Sequence, residues 1–188
     1  MSIAFYGFAP ARLHAARAAA GVSVAVLARA VGATDRAISY YLAGTRTPHP
    51  EVLLRLAGAV GVEPEALCEV EAETLVHLRT WTGRSRAKMA SVLAMGEETY
   101  RQLEKTAARG RLAGPRYDFA ADRWVPWEEW APPLFGVTAE RLAAAETHTR
   151  ALYQAARERC WAAFRAADPA RAAAIEEAGR AARALLGR

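Results

Sequence analysis

Apolar residues recur at three- and four-residue spacing through most of the chain, and that period predicts helix after helix. A first helix is predicted over 10–20, opened by Pro10 and closed by Gly21. Ser23 is placed to cap a second helix over 24–31, ended by Gly32. Thr34 is placed to cap a third over 35–43, ended by Gly44. After a loop from Thr45 to Pro50, a fourth helix runs from about Glu51 to Val60 and stops at Gly61. A short fifth starts near Pro64. Leu13, Leu27, Val31, Ile38, Leu53, Leu56, Val60 and Leu67 are expected to form one small core.

The pattern then repeats. At an offset of 62, Gly21 falls on Gly83, Ser23 on Ser85, Leu27-Ala28 on Met89-Ala90, Val31 on Leu93 and Ile38 on Tyr100. The register breaks after Glu104. It resumes at an offset of 75, where Gly136-Val137 and Leu142 match Gly61-Val62 and Leu67, so the second copy carries 13 extra residues within 105–135. That stretch holds Tyr117, Phe119, Trp124, Trp127 and Trp130, and is expected to be a long loop folded onto its domain by its aromatics. Tyr117 to Val125 is its single strand candidate. From Thr138 a long helix is predicted to Ala167, its loose apolar stripe widened by Tyr153, Trp161 and Phe164. Asp168-Pro169 then opens a last helix over 169–186, with Ile175, Ala178, Ala182 and Leu185 on one stripe. The expected fold is all-α, with two helix-turn-helix domains in tandem, over 1–70 and 71–142, and a helical extension over 143–188. The aromatic insertion lies at about 105–130.

Charge adds a direction. The 188 residues carry a net charge of +5, and residues 71–125 hold 10 basic against 7 acidic side chains. A modest basic excess is compatible with nucleic acid. With 53% apolar and 24% charged residues, disorder as the main state is excluded. There is no run of transmembrane length and no secretory pattern near Met1, so a soluble cytoplasmic protein is expected. Cys68 and Cys160 stand far apart and the four histidines are scattered, which implies neither a metal nor a cofactor. A nucleophile elbow and a phosphate-binding glycine loop are both missing, so the chain is not expected to be an enzyme.

The marks of the first copy are Leu13 and Arg17, Gly21-Val22-Ser23, Leu27-Ala28, Val31-Gly32, Ile38-Ser39-Tyr40-Tyr41, Gly44, Arg46, Pro48 and the Leu53-Leu56-Ala57-Val60-Gly61-Val62 run. On these marks residues 11–67 resemble the phage-repressor-like (XRE) family of helix-turn-helix domains, of the lambda-repressor fold. The resemblance implies that the front of the third helix enters the major groove of double-stranded DNA. Burial of Ile38 and Tyr41 would leave Asp35, Arg36, Ser39 and Tyr40 facing out, behind the Thr34 cap. Arg36 is the candidate reader of a guanine edge and Asp35 of cytosine N4. Tyr40 would meet a thymine methyl or a phosphate, and Thr45, Arg46 and Thr47 the backbone. Two family positions differ: Val24 stands where a phosphate-binding glutamine is usual, and Leu42 where an acid is usual.

The second copy is a looser match. Its reading face would be Glu97, Glu98, Arg101 and Gln102, and two carboxylates do not suit a polyanion. Arg84, Arg86, Lys88, Arg101, Gln102 and Lys105 are nevertheless candidates for a second DNA contact. Two readings stand level: a backbone contact through these residues, or a scaffold that kept the fold and lost base readout. The C-terminal helices read equally as a homodimerisation arm or as intramolecular packing. The leading function is a sequence-specific transcriptional regulator. The alternative is a protein-interaction adaptor, antitoxin-like or sigma-factor-binding, with segment 117–130 as the partner surface.

Overall fold

The computed structural model describes residues 6–186, with the side chains of the last two left aside. The limits expected at residues 1 and 188, and the stripe position of the Leu185 side chain, lie outside the described residues. The chain is mostly helical. Its first four helices are α1 (Pro10–Ala19), α2 (Val24–Val31), α3 (Asp35–Leu42) and α4 (Pro50–Val60), followed by a tight 3-10 turn at Pro64–Leu67. Ser23 Oγ accepts from Val26 N at 3.2 Å and Thr34 Oγ1 from Ala37 N at 3.2 Å, so both predicted caps are present. All eight expected core residues, Leu13 to Leu67, are buried. Tyr41 is only partly buried and packs against that core.

An N-terminal arm completes this half and has no counterpart in the expected layout. Tyr6 and Phe8 are buried, Phe8 bridges Cys68 in antiparallel fashion, and Tyr6 Oη donates to the carbonyl of Pro48. Gly7 makes the approach possible. Its φ is +74°, and a Cβ there would stand 2.5 Å from the carbonyl oxygen of Glu69.

The chain continues through α5 (Leu75–Trp81), α6 (Arg86–Val92) and α7 (Glu97–Thr106). The 62-residue offset recurs in the bonding. Ser85 Oγ accepts from Lys88 N at 3.2 Å, as Ser23 does from Val26. Arg17 Nη1 donates to Val22 O at 2.8 Å, and Arg79 Nη1 to Arg84 O at 2.9 Å. Ala33 N donates to Ala28 O at 2.9 Å, and Met95 N to Ala90 O at 2.9 Å. The 75-residue offset is equally plain: Val62 N donates to Ala57 O, and Val137 N to Pro132 O. Gly61 and Gly136 share the left-handed conformation, with φ of +73° and +68°.

The inserted stretch corrects the all-α expectation. It contains an antiparallel hairpin of β1 (Arg116–Asp118) and β2 (Arg123–Val125), with Tyr117 opposite Trp124. Two one-turn helices follow, α8 (Trp127–Trp130) and α9 (Pro132–Phe135). The aromatics divide. Trp127 is buried and Trp130 half-buried, whereas Phe119 is 89% and Trp124 66% exposed. Trp127 and Trp130 therefore anchor the segment and Arg116 ties the base of the hairpin to Leu93 O, while its tip stays off the domain. Two-residue-period strands too short to bury either face leave nothing to draw it in.

Helix α10 (Ala139–Ala167) and α11 (Pro169–Leu186) end the chain. Residues to Arg150 form one compact unit, and those from Ala151 form a second. Within the first unit a single apolar cluster runs from Tyr6 to Ala145, so the segments on either side of residue 70 share one core. The start of α10 ties into α5, since Thr149 Oγ1 accepts from Leu75 N at 3.0 Å. Arg141 bonds Glu73 at 2.8 and 3.0 Å and Glu65 at 3.0 Å, and lies 5.4 Å from the Trp81 ring centre. In the second unit Trp161 stacks on Phe164, and Arg165 pairs with Glu176 at 3.6 Å.

Candidate nucleic-acid interface

The front of α3 is open. Thr34, Asp35, Arg36 and Ser39 are exposed, and so are Thr45, Arg46 and Thr47 in the loop that follows. The helix keeps this face outward because Ile38, one turn in, is fully buried and Tyr41 and Leu42 pack against the core. Gly44, at φ +69°, turns the chain sharply after α3. The loop therefore returns beside the helix, where Arg36, Tyr40, Thr45 and Arg46 meet.

Tyr40 organises them. Its hydroxyl accepts from Arg36 Nε at 2.6 Å. The Arg46 guanidinium carbon lies 4.7 Å from the ring centre and that of Arg36 5.5 Å. Its main-chain carbonyl accepts from Thr45 N at 3.0 Å, Arg46 N at 3.3 Å and Thr45 Oγ1 at 3.2 Å. Ser39 spends its hydroxyl hydrogen on Asp35 O at 2.9 Å, which leaves the oxygen outward as an acceptor only. Two exposed arginines thus flank one tyrosine in the last turn of α3, an arrangement suited to anionic, planar partners.

The corresponding face of the second half is self-neutralised. Arg101 grips Glu98 with two bonds of 2.6 and 2.5 Å, and Gln102 Nε2 donates to the same carboxylate at 2.9 Å. Those bonds hold the Glu98 carboxyl down at about 2, so it is charged at any physiological pH. Arg84 is half-buried and donates to the carbonyl of Leu134. Arg86 Nε donates to Glu104 Oε2 at 3.0 Å. Lys88 and Lys105 are exposed. Of the six candidates of the second half, Arg101 and Gln102 share Glu98, whereas Arg86 turns to Glu104 and Arg84 to Leu134 O.

Sequence reasoning missed the hub beneath them. Glu104 is 3% exposed and joins Arg79 at 2.5 Å, Arg86 at 3.0 Å and the Tyr100 hydroxyl at 3.4 Å. Burial and the neighbouring carboxylate push the Tyr100 phenol far up. The offset could have exposed this hub, because it places Glu104 on Leu42 and Arg79 on Arg17. In the first half the acid is gone, and Arg17 Nε is buried with no hydrogen-bond partner among the described residues.

Among the described residues no single helix is long and apolar enough to cross a membrane. No curated protein and no solved structure matches the chain. A family model described as a helix-turn-helix domain matches residues 11–69, about a third of the chain. The match spans α1 to α4 and the turn after them, so the segment that carries the Arg36–Tyr40–Arg46 surface is similar to helix-turn-helix domains, a likeness that at a coarse level points to a DNA-binding regulator.

Proposed function

We propose that the protein is a sequence-specific, cytoplasmic DNA-binding transcriptional regulator of the XRE type, reading the major groove with α3. The observation that carries this reading is the exposed, capped front of α3 with Arg36 and Arg46 gathered on Tyr40. Arg36 reads a base edge, and Arg46 with Thr45 and Thr47 fixes the backbone. The second half is a divergent copy of the same unit that serves as a platform. Its Arg84, Arg86 and Arg101 are bound internally, and the exposed Glu97 at the front of α7 repels phosphate. Two copies would pair through residues 151–188, where Leu152 and Ile175 are exposed and Trp161 and Phe164 line an open groove with Gln154 and Cys160.

The test is selection from a random duplex pool with the intact chain. A recovered site bound far more tightly than bulk DNA supports the reading. Binding no better than the weak, salt-sensitive background on every duplex overturns it. A second reading, a protein-interaction adaptor, is favoured by the bare aromatic tip at Phe119 and Trp124. Every charge on that hairpin is engaged internally: Asp122 accepts from Tyr117, Arg123 pairs with Glu129, Asp118 caps the turn and Arg116 donates to Leu93 O. Such a tip suits an apolar protein groove better than a polyanion. Capture of a partner without DNA, lost on deletion of 117–125, would favour this reading.

A further inference from the structure

We infer that Tyr40 is a positioning residue that fixes which edge of the Arg36 guanidinium meets the base. The inference rests on the reading of α3 as the base-reading helix. Arg36 and Tyr40 stand four apart, so both project from the same side of α3. The hydroxyl of Tyr40 takes the Nε hydrogen of Arg36 at 2.6 Å. A guanidinium has two forks, one made by Nε with a terminal nitrogen and one by the two terminal nitrogens. With Nε engaged, the side fork is closed. The end fork, Nη1 and Nη2, has no protein partner among the described residues and remains for the base.

Guanine offers O6 and N7 in the major groove, and an end-on fork meets both. Tyr40 is itself held. Its carbonyl carries three bonds from Thr45 and Arg46, and the Arg46 guanidinium sits 4.7 Å from its ring centre. The carbonyl bonds fix the main chain beneath the ring, and rotating the ring away would give up its contacts with Arg46 and Arg36. The half-buried ring keeps its hydroxyl at the surface, beside Arg36. This preorganisation spares Arg36 the rotamer freedom it would otherwise lose on binding. It also differs from the expectation that Tyr40 touches a thymine methyl or a phosphate, since here its hydroxyl works through another side chain.

The test is a double-mutant cycle of Tyr40→Phe and Arg36→Ala, read on the duplex recovered from a random pool by the intact wild-type chain and on its single-base variants. Circular dichroism confirms the fold of each protein. Tyr40→Phe keeps the ring and removes only the hydroxyl. It should weaken binding to the recovered site by about tenfold, and shrink discrimination at one base pair, with the salt slope unchanged. In the Arg36→Ala background the same substitution should change nothing. An equal loss in both backgrounds would show that Tyr40 meets DNA directly and would overturn the inference, while the α3 reading stood. No loss in the wild-type background would overturn it as well. If the wild-type chain recovers no preferred duplex, the reading of α3 fails and this inference with it.

Discussion

Removing the carboxylate of Glu104 should destabilise the protein more than most single changes. Arg79 is 4% exposed at its side chain, and its Nε and Nη1 are spent on Glu104 at 2.5 Å and on Arg84 O at 2.9 Å. Glu104→Leu, which copies what Leu42 does in the first half, leaves that guanidinium buried without its counter-charge. Breaking one side of a buried pair costs about 3–5 kcal/mol. Against a total of roughly 5–15 kcal/mol this is a large fraction, and for a chain of this size it corresponds to a melting point about 10 °C lower. Urea unfolding followed by circular dichroism measures it. Removing both partners, with Arg79→Met and Glu104→Leu together, should recover most of the loss, because apolar replacements of such pairs are close to neutral. The converse, Leu42→Glu, places an acid opposite Arg17 Nε. It lacks the additional partners that Arg86 and Tyr100 give Glu104, since Val24 and Ile38 occupy those places, and it should move stability by less than about 1 kcal/mol. A loss below about 1 kcal/mol for Glu104→Leu would refute the argument and show that water reaches Arg79.

Three further outcomes are expected. Ala94 holds φ +47° at the place where the first half has Gly32 at +68°, so Ala94→Gly should stabilise by about 0.5–1 kcal/mol in thermal unfolding; a loss would mean that the left-handed turn is not strained. His77 accepts from Thr74 N at 2.9 Å through Nδ1, and burial pushes its pKa below the ordinary 6.5. The unfolded chain therefore takes up a proton before the folded one does. The contribution of His77 is complete above pH 6.5 and declines as pH falls through that value, and His77→Gln should flatten the fall between pH 7.5 and 5.5. Arg36→Ala should cost about 1–3 kcal/mol at one base position in competition gel shifts; an equal loss on every duplex would make Arg36 a phosphate contact.

Much of the architecture was legible in the residues themselves. Ser23 and Thr34 announce their helices because a hydroxyl one residue ahead of an apolar run can satisfy free amides. Gly21, Gly32, Gly44 and Gly61 mark the stops, because the left-handed turn costs glycine least. The hairpin leaves little trace in the residues, since three-residue strands carry almost no period. The Tyr6–Phe8 arm was invisible. Its place is set by pairing with Cys68 and Glu69, some sixty residues away, and no local pattern encodes that.

The sequence alone determined helices α1 to α4, the caps of α2 and α3, the offset of 62 and the side of α3 that faces outward. These follow from short-range rules, in which a residue answers to neighbours within one or two turns. Only the tertiary structure decided what each arginine is for. Arg36, Arg84, Arg86 and Arg101 look alike as a tally of positive charge. Folding aims Arg84 at the carbonyl of Leu134, Arg86 at Glu104 and Arg101 at Glu98, and leaves the end of Arg36 facing water. A charge is available to a partner only if the fold has not already satisfied it, and two of these three pairings join residues 18 and 50 apart in the chain.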